Sequence, residues 1–125
     1  MYVFGSTAAE ASPIPGVAHK TLARAGLGLR HLSVWRQSLA VGAGTPDHRH
    51  GCEEVVVVLA GRGTLRIDGD ELAFAAGDTL VLPAGRDHTI LNAGDCALEM
   101  VATFSASPVP TSTPDGQDLP LPWES

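Results

Sequence analysis

Apolar and polar residues alternate with a period of two through most of this chain. The pattern predicts strands near residues 17–23, 30–41, 54–60, 63–68, 71–75, 79–82, 88–92 and 96–104. Helical periodicity is confined to Lys20 to Ala25, a short stretch that runs into Gly26-Leu27-Gly28. Asp68-Gly69 and Asn92-Ala93-Gly94-Asp95 separate apolar runs with residues that accept positive φ, so both are expected as hairpin turns. Short strands at this spacing predict an all-β barrel or sandwich, and no internal repeat divides it into two copies.

The ends break the pattern. Residues 1–16 are rich in Ala, Ser and Pro, and 107–125 contain Pro108, Pro110, Pro114, Pro120 and Pro122. Both are expected as extended arms flanking a barrel over 17–106. Leu119-Pro120-Leu121-Pro122-Trp123 is too apolar for a free tail and is expected to pack on a barrel wall, its own or a neighbour's. Val55 to Leu59 is apolar at both parities, whereas a barrel strand needs only its inward residues apolar. Its outer face is therefore expected to be covered, first by a second subunit in a homodimer and second by the terminal arms.

At 125 residues the chain is the size of one domain, and its 14 Gly and 9 Pro suit many tight turns. A net charge of −6 without a basic stripe argues against nucleic acid as a partner. The first ten residues lack a basic n-region and an apolar core, and no window reaches the ~20 apolar residues of a membrane span. The expectation is a cytoplasmic protein with no membrane partner. Cys52 and Cys96 are too few for a disulfide framework and read as two small buried hydrophobes.

The candidate chemistry lies between Gly42 and Asn92. His48, His50 and Glu54 share even parity, which on an extended chain aims two imidazoles and a carboxylate at one face, while Glu53 points the other way. His88 opens a later strand, after Gly85, which can take the turn conformation that delivers it to the barrel mouth.

Two stretches carry a family resemblance. The first runs Gly42, five residues, His48-x-His50, three residues, Glu54, six residues, Gly61. The second runs Gly77, five residues, Pro83-x-Gly85, two residues, His88, three residues, Asn92. Together, with the 15-residue link from Arg62 to Ala76 between them, they resemble the two motifs of the cupin superfamily in its small single-domain form. The resemblance implies a single cupin barrel (a double-stranded β-helix, or jelly roll), usually dimeric. It also implies one divalent metal ion per subunit, held by His48, His50, Glu54 and His88. Such a donor set suits Fe, Mn, Ni, Cu or Zn. Fe, Mn or Ni would leave about two positions open for a substrate, O₂ or water.

Around these ligands the parity marks further pocket candidates. Cys52 shares the ligands' parity, and is either an extra ligand or redox-sensitive thiol or simply packs. Asn92 is either a partner that steadies a ligand or the turn residue of its hairpin. Trp35 and Gln37 are expected to face inward with Leu39, and Met100 and Phe104 to line the cavity or fill the core with Leu98 and Ala102. His19 and His31 match no ligand spacing and are expected at the surface or hydrogen-bonded. Lys20 and Tyr2 have no surroundings that would activate them, and neither a Ser-His-Asp arrangement nor a phosphate-binding Gly loop is present.

If the chain is an enzyme, the metal is therefore its main catalytic device, with Glu54 as a proton shuttle. The first reading is a metal-dependent enzyme on a small organic molecule, with a dioxygenase-type oxidoreductase favoured over an isomerase or lyase. The alternative is a non-catalytic protein that binds a metal or small ligand.

Overall fold

The computed structural model describes residues 2–5 and 8–125; the expected N-terminal arm therefore includes three residues, Met1, Ser6 and Thr7, that lie outside the described set. Eleven strands form: β1 (Glu10–Ala11), β2 (Val17–Ala23), β3 (Ser33–Leu39), β4 (Arg49–His50), β5 (Glu54–Ala60), β6 (Arg62–Ile67), β7 (Asp70–Ala75), β8 (Thr79–Leu82), β9 (His88–Asn92), β10 (Leu98–Phe104) and β11 (Thr111–Ser112). All pairings are antiparallel. Six strands lie in the order β1-β2-β3-β10-β5-β8, three in the order β7-β6-β9, and β11 pairs with β4. The chain is all-β, a jelly-roll barrel; its one helical feature among the described residues is a 3-10 turn over Ala25–Leu27.

Alternation decides what is inside. In β10, Leu98, Met100, Ala102 and Phe104 are buried, and in β5, Glu54, Val56 and Val58 are buried while Val55 and Val57 are exposed. Facing inward from the three-stranded sheet, Leu65, Phe74 and Ile90 complete the core. The Asp68-Gly69 hairpin forms as expected, with both residues at positive φ (53° and 79°) and Ile67 paired to Asp70.

Several expectations need correction. The Asn92 to Asp95 turn is not a hairpin: β9 pairs with β6, whereas β10 pairs with β3 and β5, so the turn carries the chain from one sheet to the other. Asn92 builds that turn by accepting the Gly94 N–H and donating to the carbonyls of Leu39 and Cys96. Lys20 to Ala23 continue β2, because their partners on β3 outweigh a short helical pattern. Strand β3 is shorter than the predicted 30–41. Finally, Val55, Val57 and Leu59 remain 40%, 41% and 46% exposed, so the described residues of the terminal arms leave this face uncovered.

Candidate metal centre and its cavity

His48, His50, Glu54 and His88 come from three places. β4 holds His50 with His48 just before it, β5 begins with Glu54, and β9 begins with His88. The expected single extended strand is broken at Gly51 and Cys52, which form a bend between β4 and β5. Parity survives the break, since Cys52 and Glu54 are buried while Gly51 and Glu53 are exposed. The second stretch is registered on the first by backbone pairing: His48 and His88 exchange both N–H to carbonyl bonds, at 3.2 and 2.8 Å. Gly85 takes φ 76° and donates its N–H to the His50 carbonyl at 2.9 Å, which brings the Pro83-Ala84-Gly85 turn beside β4.

Each imidazole Nδ1 has a hydrogen-bond partner outside the cluster. His48 Nδ1–H donates to the Pro46 carbonyl at 2.6 Å and His88 Nδ1–H to the Arg86 carbonyl at 3.0 Å. His50 Nδ1–H is shared between the Pro110 carbonyl at 3.2 Å and Thr111 Oγ1 at 3.0 Å. Carbonyls only accept, so these bonds place the proton on Nδ1 and leave each Nε2 with its lone pair free, the tautomer a metal needs. The three histidines bring ligand atoms within 4.8 Å of one another. Glu54 Oε1 lies 3.5 Å from both His50 Nε2 and His88 Nε2.

Glu54 Oε1 and His88 Nε2 are buried and without a hydrogen-bond partner. Leaving such atoms unsatisfied costs stability, and an ion bound by ligand bonds of ~2.1 Å would satisfy both at their observed spacing. The residues therefore fit a divalent metal ion. Electrostatics agree. Burial, reinforced by the neighbouring histidines, lowers His48 to about 4 and His50 to about 3, so both are neutral ligands at neutral pH. Burial raises the Glu54 carboxyl against the pull of His88. For His88, burial acts downward but the Glu54 carboxylate more than offsets it, and the imidazole is raised.

The four groups open into a cavity of about 330 Å³. Trp35, Val17, Ile14 and Ile90 wall it, together with Leu119 to Trp123 of the C-terminal segment. Its other polar lining comes from Gln37, Thr45 and Thr111, so no cationic side chain reaches the ligand space.

The C-terminal segment packs on its own barrel. Trp123 stacks on His19 with ring centroids 3.8 Å apart and meets Trp35 edge-on at 5.4 Å. His19 is buried, not superficial, and burial lowers it to about 4. The Glu124 carbonyl accepts from Thr21 Oγ1–H at 2.7 Å. Thr21 Oγ1 then accepts from His19 Nε2–H at 2.7 Å, which leaves His19 Nδ1 to accept the Gln37 amide N–H at 3.1 Å.

Other expected pocket residues stand apart from the cavity. Cys52 is buried but lies outside the lining, whereas Cys96, expected to be buried, is exposed in the turn between β9 and β10. Met100 and Phe104 are core: Phe104 packs behind Trp35 and His50, at centroid distances of 4.2 and 5.0 Å. Asn92 touches none of the candidate ligands and holds its turn. His31 is exposed. Thr111, Ile14 and the seating of Trp123 over the ligands had no periodic signal, since they sit on two-residue strands or loops between prolines.

A family model described as a cupin domain matches residues 35–104. The chain is a cupin. It is 36% identical over 105 residues, 76% of its length, to Auxin-binding protein 1 of Arabidopsis thaliana, of which it covers 53%. It is 32% identical over 55% of its length to an oxalate-binding protein of Thermotoga maritima, of which it covers 58%. An oxalate oxidase solved with the substrate analogue glycolate superposes with a TM-score of 0.72 at 28% identity, over 82% of this cupin and 59% of that chain. The cupin thus spans between half and two thirds of the length of each of these relatives. No described helix is long and apolar enough to cross a membrane.

Proposed function

We propose that this cupin binds one divalent metal ion through His48, His50, Glu54 and His88 and uses it to capture a small organic acid in the apolar cavity above. The observation that carries this reading is the convergence of three Nδ1-anchored imidazoles and an unpartnered carboxylate oxygen in a largely apolar cavity. When bound, the metal would act as a Lewis acid that accepts an oxygen donor of the ligand. The chain's own residues do the rest. The walls exclude water from the ligand's apolar body, and Gln37 lines the cavity with one of its two amide N–H groups committed to His19. Because no cation lines the cavity, an acidic ligand has the metal as its counter-charge. The relatives named for auxin, oxalate and glycolate support an acid as the ligand class.

An oxygen-using enzyme, dioxygenase or oxidase, is the second reading, favoured by the likeness to oxalate oxidase. In it Glu54, buried and raised, would be the proton-shuttling carboxyl among the described residues that line the cavity.

Metal analysis of protein purified without added metal, beside His50→Ala, tests the first reading. The wild type is expected to hold about one ion per chain and the variant less than a tenth of that; equal occupancy would overturn the ligand set. Calorimetric titration of the metal-loaded protein with indole-3-acetate, oxalate and glycolate then checks the ligand class, and oxygen uptake with the same acids distinguishes the enzyme.

A further inference from the structure

The three histidines are not held alike. His48 and His88 each lean on a carbonyl two residues back in their own stretch, so their orientation is local. His50 leans on Pro110 and Thr111, sixty and sixty-one residues further along the chain. Of these three imidazoles, only that of His50 is oriented by the C-terminal segment.

The direction of each bond can be read from its end. Thr111 Oγ1–H donates to the Val109 carbonyl at 3.3 Å, and a carbonyl only accepts, so the hydroxyl offers His50 a lone pair. That lone pair takes the Nδ1–H at 3.0 Å and turns Nε2 toward Glu54. Both groups are buried, at 4% and 3% exposure, so water does not replace the bond. β11 also pairs directly with β4, Thr111 opposite His50, and the Gly51 N–H bonds to the Pro110 carbonyl at 3.2 Å. The same segment is fastened at its far end by Ser125, which bonds Val109 and Ser107, and by Trp123 on His19.

We propose that Thr111 is a positioning residue for the metal centre, and that docking of segment 107–125 and metal binding are coupled, each strengthening the other. The proposal rests on the metal-binding reading above. Outer partners of metal-bound imidazoles set tautomer and aim, and their loss costs typically 10–100-fold in affinity. Coupling of this kind is reciprocal: if the docked segment tightens metal binding, metal tightens the docking. The segment that lines the cavity is then also one that completes the metal site.

Metal-free full-length protein titrated with Zn(II) against a chromophoric chelator tests this, with wild type, Thr111→Val and Thr111→Ser compared below their melting temperatures. Val matches the shape of Thr without its hydroxyl, and Ser keeps the hydroxyl. Thr111→Val is expected to bind Zn(II) about tenfold more weakly, because Pro110 remains as a longer acceptor, and Thr111→Ser to stay within about twofold of wild type. In wild type, hydrogen exchange of the Val109 and Leu119 amides is expected to slow at least fivefold on saturation with Zn(II). Affinity unchanged in Thr111→Val, Ser as weak as Val, or exchange indifferent to Zn(II) would each overturn the coupling. If Thr111→Val does not fold, the Ser variant and the exchange measurement still decide. Wild type that binds no Zn(II) would overturn the metal-binding reading as well, whereas tight binding by both wild type and Thr111→Val would overturn this inference alone.

Discussion

Glu54→Gln separates the cost of the site from its use, because the two effects have opposite signs. In the metal-free protein Glu54 is a buried carboxyl whose Oε1 has no hydrogen-bond partner, facing a His88 Nε2 that also has none. A glutamine of nearly the same shape removes the buried charge and can donate its amide N–H to His88 Nε2. Replacing an unsatisfied pair by a satisfied one is worth about 1 kcal/mol. At about 2.1 cal/mol/K per residue, unfolding 125 residues carries about 0.26 kcal/mol/K, so metal-free Glu54→Gln should melt about 4 °C above wild type. With metal the order reverses. At a free metal concentration one hundred times its Kd, wild type gains about 2.7 kcal/mol, or about 10 °C. If loss of the anionic ligand weakens binding about a hundredfold, the variant at the same concentration gains about 0.4 kcal/mol, under 2 °C. Differential scanning fluorimetry of both proteins, with chelator and with Zn(II), should show the two melting curves cross. A variant that melts lower without metal and rises as far as wild type with it would refute both the ligand role and the account of the unpaired oxygen.

Acidification should weaken the metal-free protein between about pH 6.5 and 4. His19, His48 and His50 are lowered to about 4, 4 and 3, chiefly by burial, so in this window the unfolded chain binds protons that the folded one does not, and stability falls as pH falls. His88 and Glu54, both raised, act the other way. His19→Asn removes one of the three lowered groups, the one that is not a candidate ligand. Its unfolding free energy from urea denaturation should vary less steeply with pH than that of wild type, by up to about 1.4 kcal/mol per pH unit, and parallel profiles would remove His19 from the account. The homodimer is expected from the Val55 to Leu59 run, and the structure leaves Val55, Val57 and Leu59 40%, 41% and 46% exposed, with Val81, 70% exposed, on the adjoining strand opposite Val55. In sedimentation velocity at micromolar concentration wild type should run as a dimer and Val57→Lys as a monomer; wild type that stays monomeric there would refute it.

Period-two alternation made the barrel legible because a half-buried strand must alternate, and β2, β5, β8 and β9 begin and end where the pattern does. What it could not convey is which strands pair. Asn92 to Asp95 carries residues that favour a turn, but a turn residue records local backbone needs and is silent on whether the following strand stays in the same sheet. The strand that carries Met100 and Phe104 shows the complementary ambiguity. Parity places both inward, yet an inward residue may face the core or the cavity, and here both face the core, with Phe104 behind Trp35.

The candidate ligands were legible for a different reason. Their side chains must converge, so their spacing is constrained by strand geometry, and the motifs preserve that spacing even where a bend at Gly51 interrupts the strand. Groups that steady a ligand are not so constrained. The carbonyls beneath His48 and His88 belong to Pro46 and Arg86, and any residue type supplies a carbonyl, so no composition signal marks them. Thr111 is harder still: its hydroxyl reaches His50 from a two-residue strand in a Pro-rich segment, where neither period nor motif operates. The apolar Leu119 to Trp123 run betrayed that this segment must pack somewhere. Only the pairing of β11 with β4 shows why its position matters, since it brings a wall of the cavity and the anchor of His50 together in one stretch of chain. A substitution in this segment far from any ligand, such as one that unseats Trp123 from His19, is thus placed to act on the metal centre through Thr111.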